Sequence, residues 1–320
     1  MHKEKGMKYS LIDTHCDTVY ELFVRGESLD ANTCHVSLDR AKVYKNYAQF
    51  FAVWSDKRLD DENAWQNFLK ISEYLSSELD RLADRAVAVG TASELDLAWD
   101  SGRTAVFLAI EDARLLCRDI TRLDVIKARG VKYLTLLWSG ETCIGGSHDT
   151  NAGLTDFGKA VVRGCFERGI IPDVSHASEK ATDDIISIAY ECEKPIIASH
   201  SNSYKVYPHS RNLRDRHVKD ICELGGTVGI SLCPYHLADS SKKSVAVDDV
   251  LRHIEHYLDI GGEDFSGLGC DLDGTSLPSG FSGLDSLAVI ADELVRKNYS
   301  EELIEKIFWK NHYSFIKKYI

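Results

Sequence analysis

Short apolar runs that end in polar residues recur along the whole chain. The first run, residues 11–12, stops at once in the polar stretch 13–17, which is the pattern of a buried strand that ends at a surface. Seven further runs follow the same plan, at residues 47–54, 104–110, 132–137, 170–174, 195–198, 227–232 and 266–269. We therefore predict eight buried β-strands.

Helical periodicity fills most of the intervals between these strands. From residue 62 to residue 85 the apolar positions lie mostly three or four residues apart, as at Trp65, Phe68 and Leu69, so a long amphipathic helix is predicted. The connection after the first strand, which contains Cys34 and His35, is predicted to be polar and exposed. The other predicted helices cover residues 123–129, 155–168, 178–192, 215–224, 247–260, 284–297 and 300–318.

Strands that alternate with helices indicate an α/β protein. Eight such units, in a chain longer than the roughly 250 residues that the fold requires, favour a (β/α)₈ TIM barrel. An open, doubly wound sheet has the same alternation, and the pattern alone leaves both architectures open. Because there is no linker and no low-complexity tract, residues 1–320 are predicted to form a single barrel domain.

Composition and charge narrow the set of partners. Hydrophobic residues make up 44% and charged residues 28% of the chain, as in globular proteins. A net charge of −12 argues against nucleic acid and anionic membranes, and no apolar stretch reaches the roughly 18 residues of a membrane span. Nine scattered cysteines without a Cys-x-x-Cys pair, and a charged start without a hydrophobic signal region, predict a cytoplasmic protein.

Residues that can bind metal or carry protons follow five of the predicted strands. In a barrel the carboxyl ends of all strands lie on one rim, which is where barrel enzymes place their active sites. His15 and Asp17 are two residues apart at a strand end, so their side chains can converge on one ion. The complete set is His15, Asp17, Glu111, His176, His200 and Asp271.

Imidazole and carboxylate ligands of this kind suit a borderline-soft ion such as zinc. We interpret His15 and Asp17 as ligands of one ion, His176 and His200 as ligands of a second, and Glu111 as the bridge. Two such ions can activate a water molecule and polarise a carbonyl group, while Asp271 acts as general base and then acid. For any one residue the alternative is a buried polar group that ties a strand to a loop.

The same residues stand in motifs that resemble the membrane dipeptidase family, also called renal dipeptidase or peptidase M19. The resemblance covers nearly the whole chain and depends on many separate motifs. They are DTHCD at 13–17, AIE at 109–111, KYLTL at 132–136, GLTDFG at 153–158, IPDVSH at 171–176, SHSNSY at 199–204, SRN at 210–212 and GCDLDG at 269–274.

This resemblance implies a barrel hydrolase with two zinc ions per chain that cleaves dipeptides, tolerates a D-residue at the C-terminal position and is often a homodimer. It implies the same five metal ligands and a catalytic role for Asp271. It adds Arg211 as the partner of the substrate carboxylate, a role that suits the two-pronged guanidinium.

The chain departs from the family at Trp138, where the mammalian pattern has a histidine that contacts the substrate. An indole donates one hydrogen bond but carries no positive charge, so the substrate range is expected to differ. His148, in the Gly-rich loop that follows, could supply an imidazole or could be a surface residue. Tyr204 could line the substrate pocket or serve only in packing.

Three rival functions remain open from the sequence. Many amidohydrolases carry His-x-His on the first strand and a modified lysine as the bridge, whereas this chain has His15-x-Asp17 and Glu111. A phosphoesterase would be expected to surround its site with more cationic groups. A barrel that binds metal or peptide without catalysis would hold zinc and hydrolyse no dipeptide.

Overall fold

A closed barrel of eight parallel strands forms the centre of the protein. The computed structural model describes residues 9–241 and 244–320. Its strands are β1 Leu11–Cys16, β2 Tyr47–Trp54, β3 Ala86–Ala88, β4 Thr104–Glu111, β5 Val131–Thr135, β6 Ile171–Asp173, β7 Ile197–Ala198, β8 Thr227–Ile230 and β9 Ser266–Leu268. The ring runs β1-β2-β4-β5-β6-β7-β8-β9 and returns to β1.

Pairing between β2 and β4 closes this ring. Seven residue pairs connect the two strands, from Ala48 with Ala105 to Trp54 with Glu111, and Asp13 pairs with Leu268 on the far side of β1. An open sheet would leave two free edges, so the closure confirms the barrel and excludes the doubly wound alternative.

One short strand was not predicted. β3 pairs with residues 104–106 at the start of β4, and β5 pairs with residues 108–111 at its end, so β3 extends the same edge of β4 without entering the ring. Its three residues are too few to show an alternating pattern.

Thirteen α-helices are present in the described residues, and most of them cover the outside of the barrel. Predicted ends are confirmed where Thr155 and Ser178 accept backbone N–H groups as N-caps, and where Gly169 ends a helix in the left-handed conformation. The helices are α1 Thr18–Arg25, α2 Leu38–Ala41, α3 Asp61–Arg81, α4 Ala92–Asp100, α5 Arg122–Ala128, α6 Asp156–Arg168, α7 Glu179–Cys192, α8 Asp215–Glu223, α9 Pro234–Leu237, α10 Val247–Gly261, α11 Ala288–Arg296, α12 Glu301–Glu305 and α13 Asn311–Tyr319.

The predicted exposed connection after β1 is wrong. Helices α1 and α2 lie there, and Val19 and Leu22 on α1 are buried. Cys34 is also buried, since it packs in the apolar core between the barrel and its helices. The predicted helix over 300–318 is divided in three, because a π-helical turn at Lys306–Lys310 separates α12 from α13.

Aromatic side chains fill the lower half of the barrel. Phe50 and Phe107 stack with their ring centroids 4.4 Å apart, and Tyr133 lies 5.6 Å from Phe50. Phe315 and Ile316 of α13 belong to the same apolar cluster, so the last helix closes this end, which we call the floor. All nine cysteine thiols are free. In the described residues, no helix has both the length and the apolar character that crossing a membrane requires.

Candidate metal centre

Six predicted site residues meet at the carboxyl end of the barrel, which we call the rim. His15 is the second-last residue of β1, Asp17 precedes α1 and Glu111 ends β4. The others follow strand ends, and five of the six are nearly inaccessible, with exposed fractions of 0% for His15 and 9% for Asp271. The six residues are His15, Asp17, Glu111, His176, His200 and Asp271.

The ring nitrogens and carboxylate oxygens form overlapping groups. His15, Asp17 and Glu111 form one group and Glu111, His176 and His200 another, and the candidate ligand atoms within each lie within 4.8 Å of one another. Oε1 of Glu111 is 3.8 Å from Nε2 of His15, 2.9 Å from Nε2 of His176 and 3.3 Å from Nε2 of His200. Glu111 is therefore the carboxylate common to both groups.

A third group contains Asp271. Its Oδ1 lies 4.0 Å from Nε2 of His15, and His15, His200 and Asp271 again satisfy the same distance limit. The carboxylate of Asp271 thus lies close to one histidine from each of the other two groups.

An irregularity in β1 brings His15 into the interior of the barrel. Strict alternation would place residue 15 on the face opposite Ile12, which packs in the interior cluster. The pairing of β1 with β2 slips between Asp13 and Cys16, and Asp13 accepts the backbone N–H of His15 at 2.9 Å. The slip allows both Ile12 and His15 to face inward.

Hydrogen bonds orient two of the histidines from behind. Nδ1 of His176 is 3.1 Å from the backbone carbonyl oxygen of Trp138, which can only accept. Nδ1 of His200 is 2.7 Å from the hydroxyl of Ser199, which donates to Asp173 at 2.5 Å. In both rings Nδ1 is therefore the N–H donor and Nε2 keeps the lone pair that a metal needs.

Burial and crowding of like charges dominate the electrostatics of the site. Burial raises the pKa of Glu111 well above its usual range, and Asp17 and Asp271 add to this effect. Burial likewise raises the pKa of Asp271 to about 7, with Asp17 adding to the rise and His15 opposing it. Burial lowers the pKa of His15, but Glu111, Asp17 and Asp271 outweigh it and raise this pKa to about 10.

Orphaned polar atoms show that these residues fit a divalent metal. Nε2 of His15 and Oδ1 of Asp17 are buried and have no hydrogen-bond partner within the described part of the chain. Such a group costs about 1–3 kcal/mol, and a bound cation would satisfy both atoms and offset the repulsion among the carboxylates. The donor set of imidazole nitrogens and carboxylate oxygens matches zinc.

Unusual backbone geometry accompanies the ligands. His176 and Asp271 have φ values of 67° and 60°, in the left-handed region that residues other than glycine seldom adopt. A Cβ atom on Gly274 would lie 2.2 Å from carboxylate oxygens of both Asp17 and Asp271. Glycine at the end of the 269–274 motif thus makes room for the two carboxylates.

Arg211 lies beside the metal ligands, in the loop after β7. Its side chain is buried, and it donates from Nη1 to the Ser201 hydroxyl at 3.0 Å and from Nη2 to the backbone oxygen of His200 at 3.1 Å. Nε is buried without a partner among the described residues. Burial lowers the pKa of Arg211, while the nearby carboxylates of Asp271 and Glu111 oppose that fall.

The other predicted contacts lie around the rim. Trp138 is half-buried, and its ring packs edge-on against Trp54 at 5.0 Å and lies 6.4 Å from the ring of His176. His148 is also half-buried, with its ring 5.9 Å from that of His176. Tyr204 supports the guanidinium of Arg214 on its ring. It lines a cavity of about 470 Å³ that Arg211 and His148 also line.

The sequence analysis assigned no role to the residues that support the ligands. Tyr133, Asp173 and Ser199 stand in motifs quoted for the family, yet only the folded barrel shows which histidine each one reaches. The sequence did contain a sign of the supporting role of Asp173 and Ser199. Both are polar residues at the end of a buried strand, where a polar side chain requires a hydrogen-bond partner.

Comparisons with known proteins agree with this geometry. A model of the membrane dipeptidase family, peptidase family M19, matches residues 5–318. A metallopeptidase from Rhodobacter sphaeroides, solved with a phosphinate mimic of the dipeptide L-Ala-D-Ala, is 26% identical with a TM-score of 0.90, and the match covers 98% of this chain and 100% of that one. The solved dipeptidase AC, also a metallopeptidase, is 27% identical with a TM-score of 0.90, over 98% of this chain and 99% of that one.

A curated relative gives the same result. Dipeptidase tcpJ of Claviceps purpurea is 28% identical over 246 residues, which are 75% of this chain and 56% of that protein. The chain thus spans little more than half of that relative. The matches confirm the prediction that the protein is a hydrolase with a (β/α)₈ barrel. Since the family model matches almost the whole sequence, the chain belongs to the membrane dipeptidase family, peptidase family M19.

Proposed function

We propose that the protein is a dipeptidase that uses two zinc ions. The observation that carries this proposal is the shared position of Glu111, whose carboxylate belongs to two groups of candidate ligands. His15 and Asp17 would hold one ion, His176 and His200 the other, and Glu111 would bridge them. Bound there, two divalent ions would lower the pKa of a water molecule and polarise the carbonyl of the peptide bond.

Proton transfer is the role we assign to Asp271. Cleavage of a peptide bond requires that the attacking water lose a proton and that the departing amine gain one. The carboxyl of Asp271 is buried next to the ligand cluster, and burial raises its pKa to about 7. From this position the carboxylate can accept a proton from the attacking water and later pass it to the departing amine.

Substrate size and polarity follow from Arg211. A buried guanidinium beside the ligands can bind the free C-terminal carboxylate of a short peptide with two parallel hydrogen bonds. A dipeptide places that carboxylate one residue beyond the scissile bond. A D-residue at this position is supported by the Rhodobacter sphaeroides relative, whose structure contains a mimic of L-Ala-D-Ala. We assign pocket-lining roles to Trp138 and Tyr204.

The test combines elemental analysis of the purified protein with a panel of L,L- and L,D-dipeptides, assayed before and after chelation and after return of zinc. We expect about two zinc ions per chain and cleavage that chelation abolishes and zinc restores. Two bound zinc ions without cleavage of any dipeptide would contradict the proposal and favour a barrel that binds metal without catalysis. Cleavage that persists in the chelated protein would contradict the metal-dependent mechanism.

A further inference from the structure

Tyr133 connects β5 to the first histidine across the interior of the barrel. Its hydroxyl oxygen lies 2.9 Å from Nδ1 of His15 and 2.8 Å from the backbone carbonyl oxygen of Thr14. The tyrosine side chain is fully buried, and its ring packs against Phe50. This contact joins residues 118 positions apart in the sequence.

The single proton of this hydroxyl determines which ring nitrogen of His15 carries a hydrogen. A carbonyl oxygen can only accept, so the hydroxyl donates to Thr14. The same oxygen must then accept from His15, and Nδ1 of His15 must carry a hydrogen. Nε2 is thereby left to face Asp17 and Glu111, which lie 3.7 and 3.8 Å away.

The other two histidines have further orienting groups, although Tyr133 also interacts with Ser199, whose hydroxyl lies behind His200. His176 is held by the Trp138 carbonyl and His200 by Ser199, so each proposed metal position has its own orienting groups. We propose that Tyr133 is a positioning residue that fixes the tautomer of His15 and thereby acts more strongly on the affinity of the His15–Asp17–Glu111 position than on that of the Glu111–His176–His200 position. The proposal rests on the proposed metal site but not on the identity of the substrate.

The test is Tyr133→Phe, which keeps the ring in place and removes only the hydroxyl. Loss of a group that orients a metal-binding histidine weakens binding by roughly 10–100-fold. We therefore expect that loss at the His15–Asp17–Glu111 position and a smaller loss at the Glu111–His176–His200 position. Stepwise zinc loading with a competing chelator measures both affinities. Anomalous scattering at the zinc edge from partly loaded crystals shows which position is empty.

Two variants provide controls. Tyr44→Phe also removes a buried tyrosine hydroxyl that donates to a backbone carbonyl, that of Leu284. This hydroxyl has no hydrogen bond to a histidine among the described residues, so the variant should leave both affinities unchanged. Ser199→Ala removes the hydroxyl that hydrogen-bonds to His200 and should weaken zinc binding mainly at the Glu111–His176–His200 position.

Equal weakening of both positions in Tyr133→Phe, or none, would overturn the proposal. If that variant did not fold, ¹⁵N spectra of the zinc-loaded wild-type protein would test the tautomer of His15. We expect a hydrogen on Nδ1. A hydrogen on Nε2 would refute the assignment. These measurements report zinc binding and do not depend on hydrolysis. A protein that binds two zinc ions but cleaves no dipeptide would refute the proposed function and leave this inference standing.

Discussion

Two histidines buried inside the barrel have opposite surroundings at its two ends. His312, in α13 at the floor, is 1% exposed, and its ring nitrogens lie 3.1 Å from the Thr227 hydroxyl and 3.1 Å from the Leu268 carbonyl oxygen. His15, at the rim, is equally buried, but its Nε2 has no partner in the described chain. Both ring nitrogens of His312 thus have hydrogen-bond partners, whereas one ring nitrogen of His15 has none among the described residues.

Charge shows the same contrast, and positive φ values accompany the charged residues at the rim. Asp112, His176, Asp271 and Asp273, all close behind rim strands, have positive φ values, and buried carboxylates face one another there. The interior above the floor is occupied by stacked aromatic rings, and only about 10 Å³ of space remains within it. The buried carboxylates that repel one another, and the left-handed residues beside them, thus lie at the end of the barrel that holds the candidate metal ligands.

The largest effect is expected from Glu111→Gln. Because this residue is the ligand common to both groups, the variant should lose metal at both positions and at least about 10³-fold in kcat/KM. The metal-free variant should unfold at the same temperature as the metal-free wild type or a higher one, since a buried and repelled carboxylate is removed. Elemental analysis, steady-state kinetics and thermal unfolding with chelator measure these quantities.

Glu141→Gln provides the matched control, because this exposed glutamate lies in the loop after β5. It should keep the metal, the rate and the stability of the wild type. A Glu111→Gln protein with two bound ions and normal turnover would refute the bridging role.

Asp271→Asn tests the proton carrier. Loss of a general acid and base lowers rates by about 10²–10⁴-fold, so kcat should fall by that factor while KM and metal content change little. Turnover assays and elemental analysis of the same preparation separate the two quantities. If zinc were lost together with activity, Asp271 would be a metal ligand, as its position near His15 and His200 would also allow.

Arg211→Ala tests carboxylate binding at the rim. Charged hydrogen bonds contribute about 1.5–3 kcal/mol, so KM for free dipeptides should rise about 10–100-fold. Dipeptides with an amidated C-terminus should be nearly unaffected. Arg163→Ala, which removes an exposed guanidinium paired with Glu191 outside the cavity that Arg211 lines, should leave KM for both substrates unchanged. An equal rise for free and amidated substrates would contradict the role of Arg211.

Sequence patterns could identify the rim but not the contacts that support it. The ligands were found because parallel strands in a barrel end on one side, so a residue that follows a strand can be placed without coordinates. The contact between Tyr133 and His15 could not be found in this way, since it depends on the tilt of the strands and on the irregularity between Asp13 and Cys16. The short β3 lacked a clear periodic signal, whereas α1 was missed although Val19, Leu22 and Phe23 have helical spacing.

The paths of loops are a second feature that could not be predicted from the sequence. Arg211 was assigned by resemblance alone, and its contacts with Ser201 and the His200 carbonyl require the path of the whole loop that connects β7 to α8. The homodimer, the cytoplasmic location and the identity of the metal stay predictions from the sequence.

The smallest effect on activity is expected at the floor, from His312→Leu. This change removes the buried hydrogen bonds of the ring with the Thr227 hydroxyl and the Leu268 carbonyl, which should lower the free energy of unfolding by about 1–3 kcal/mol. Zinc content and kcat should stay within about twofold of the wild type, because the ring lies at the end of the barrel opposite the ligands. Chemical denaturation of the metal-free protein measures the first quantity. Val125→Ala, at an exposed position, is the control and should change stability by no more than about 0.5 kcal/mol. If His312→Leu lost zinc while keeping its stability, the distinction between a functional rim and a structural floor would be wrong.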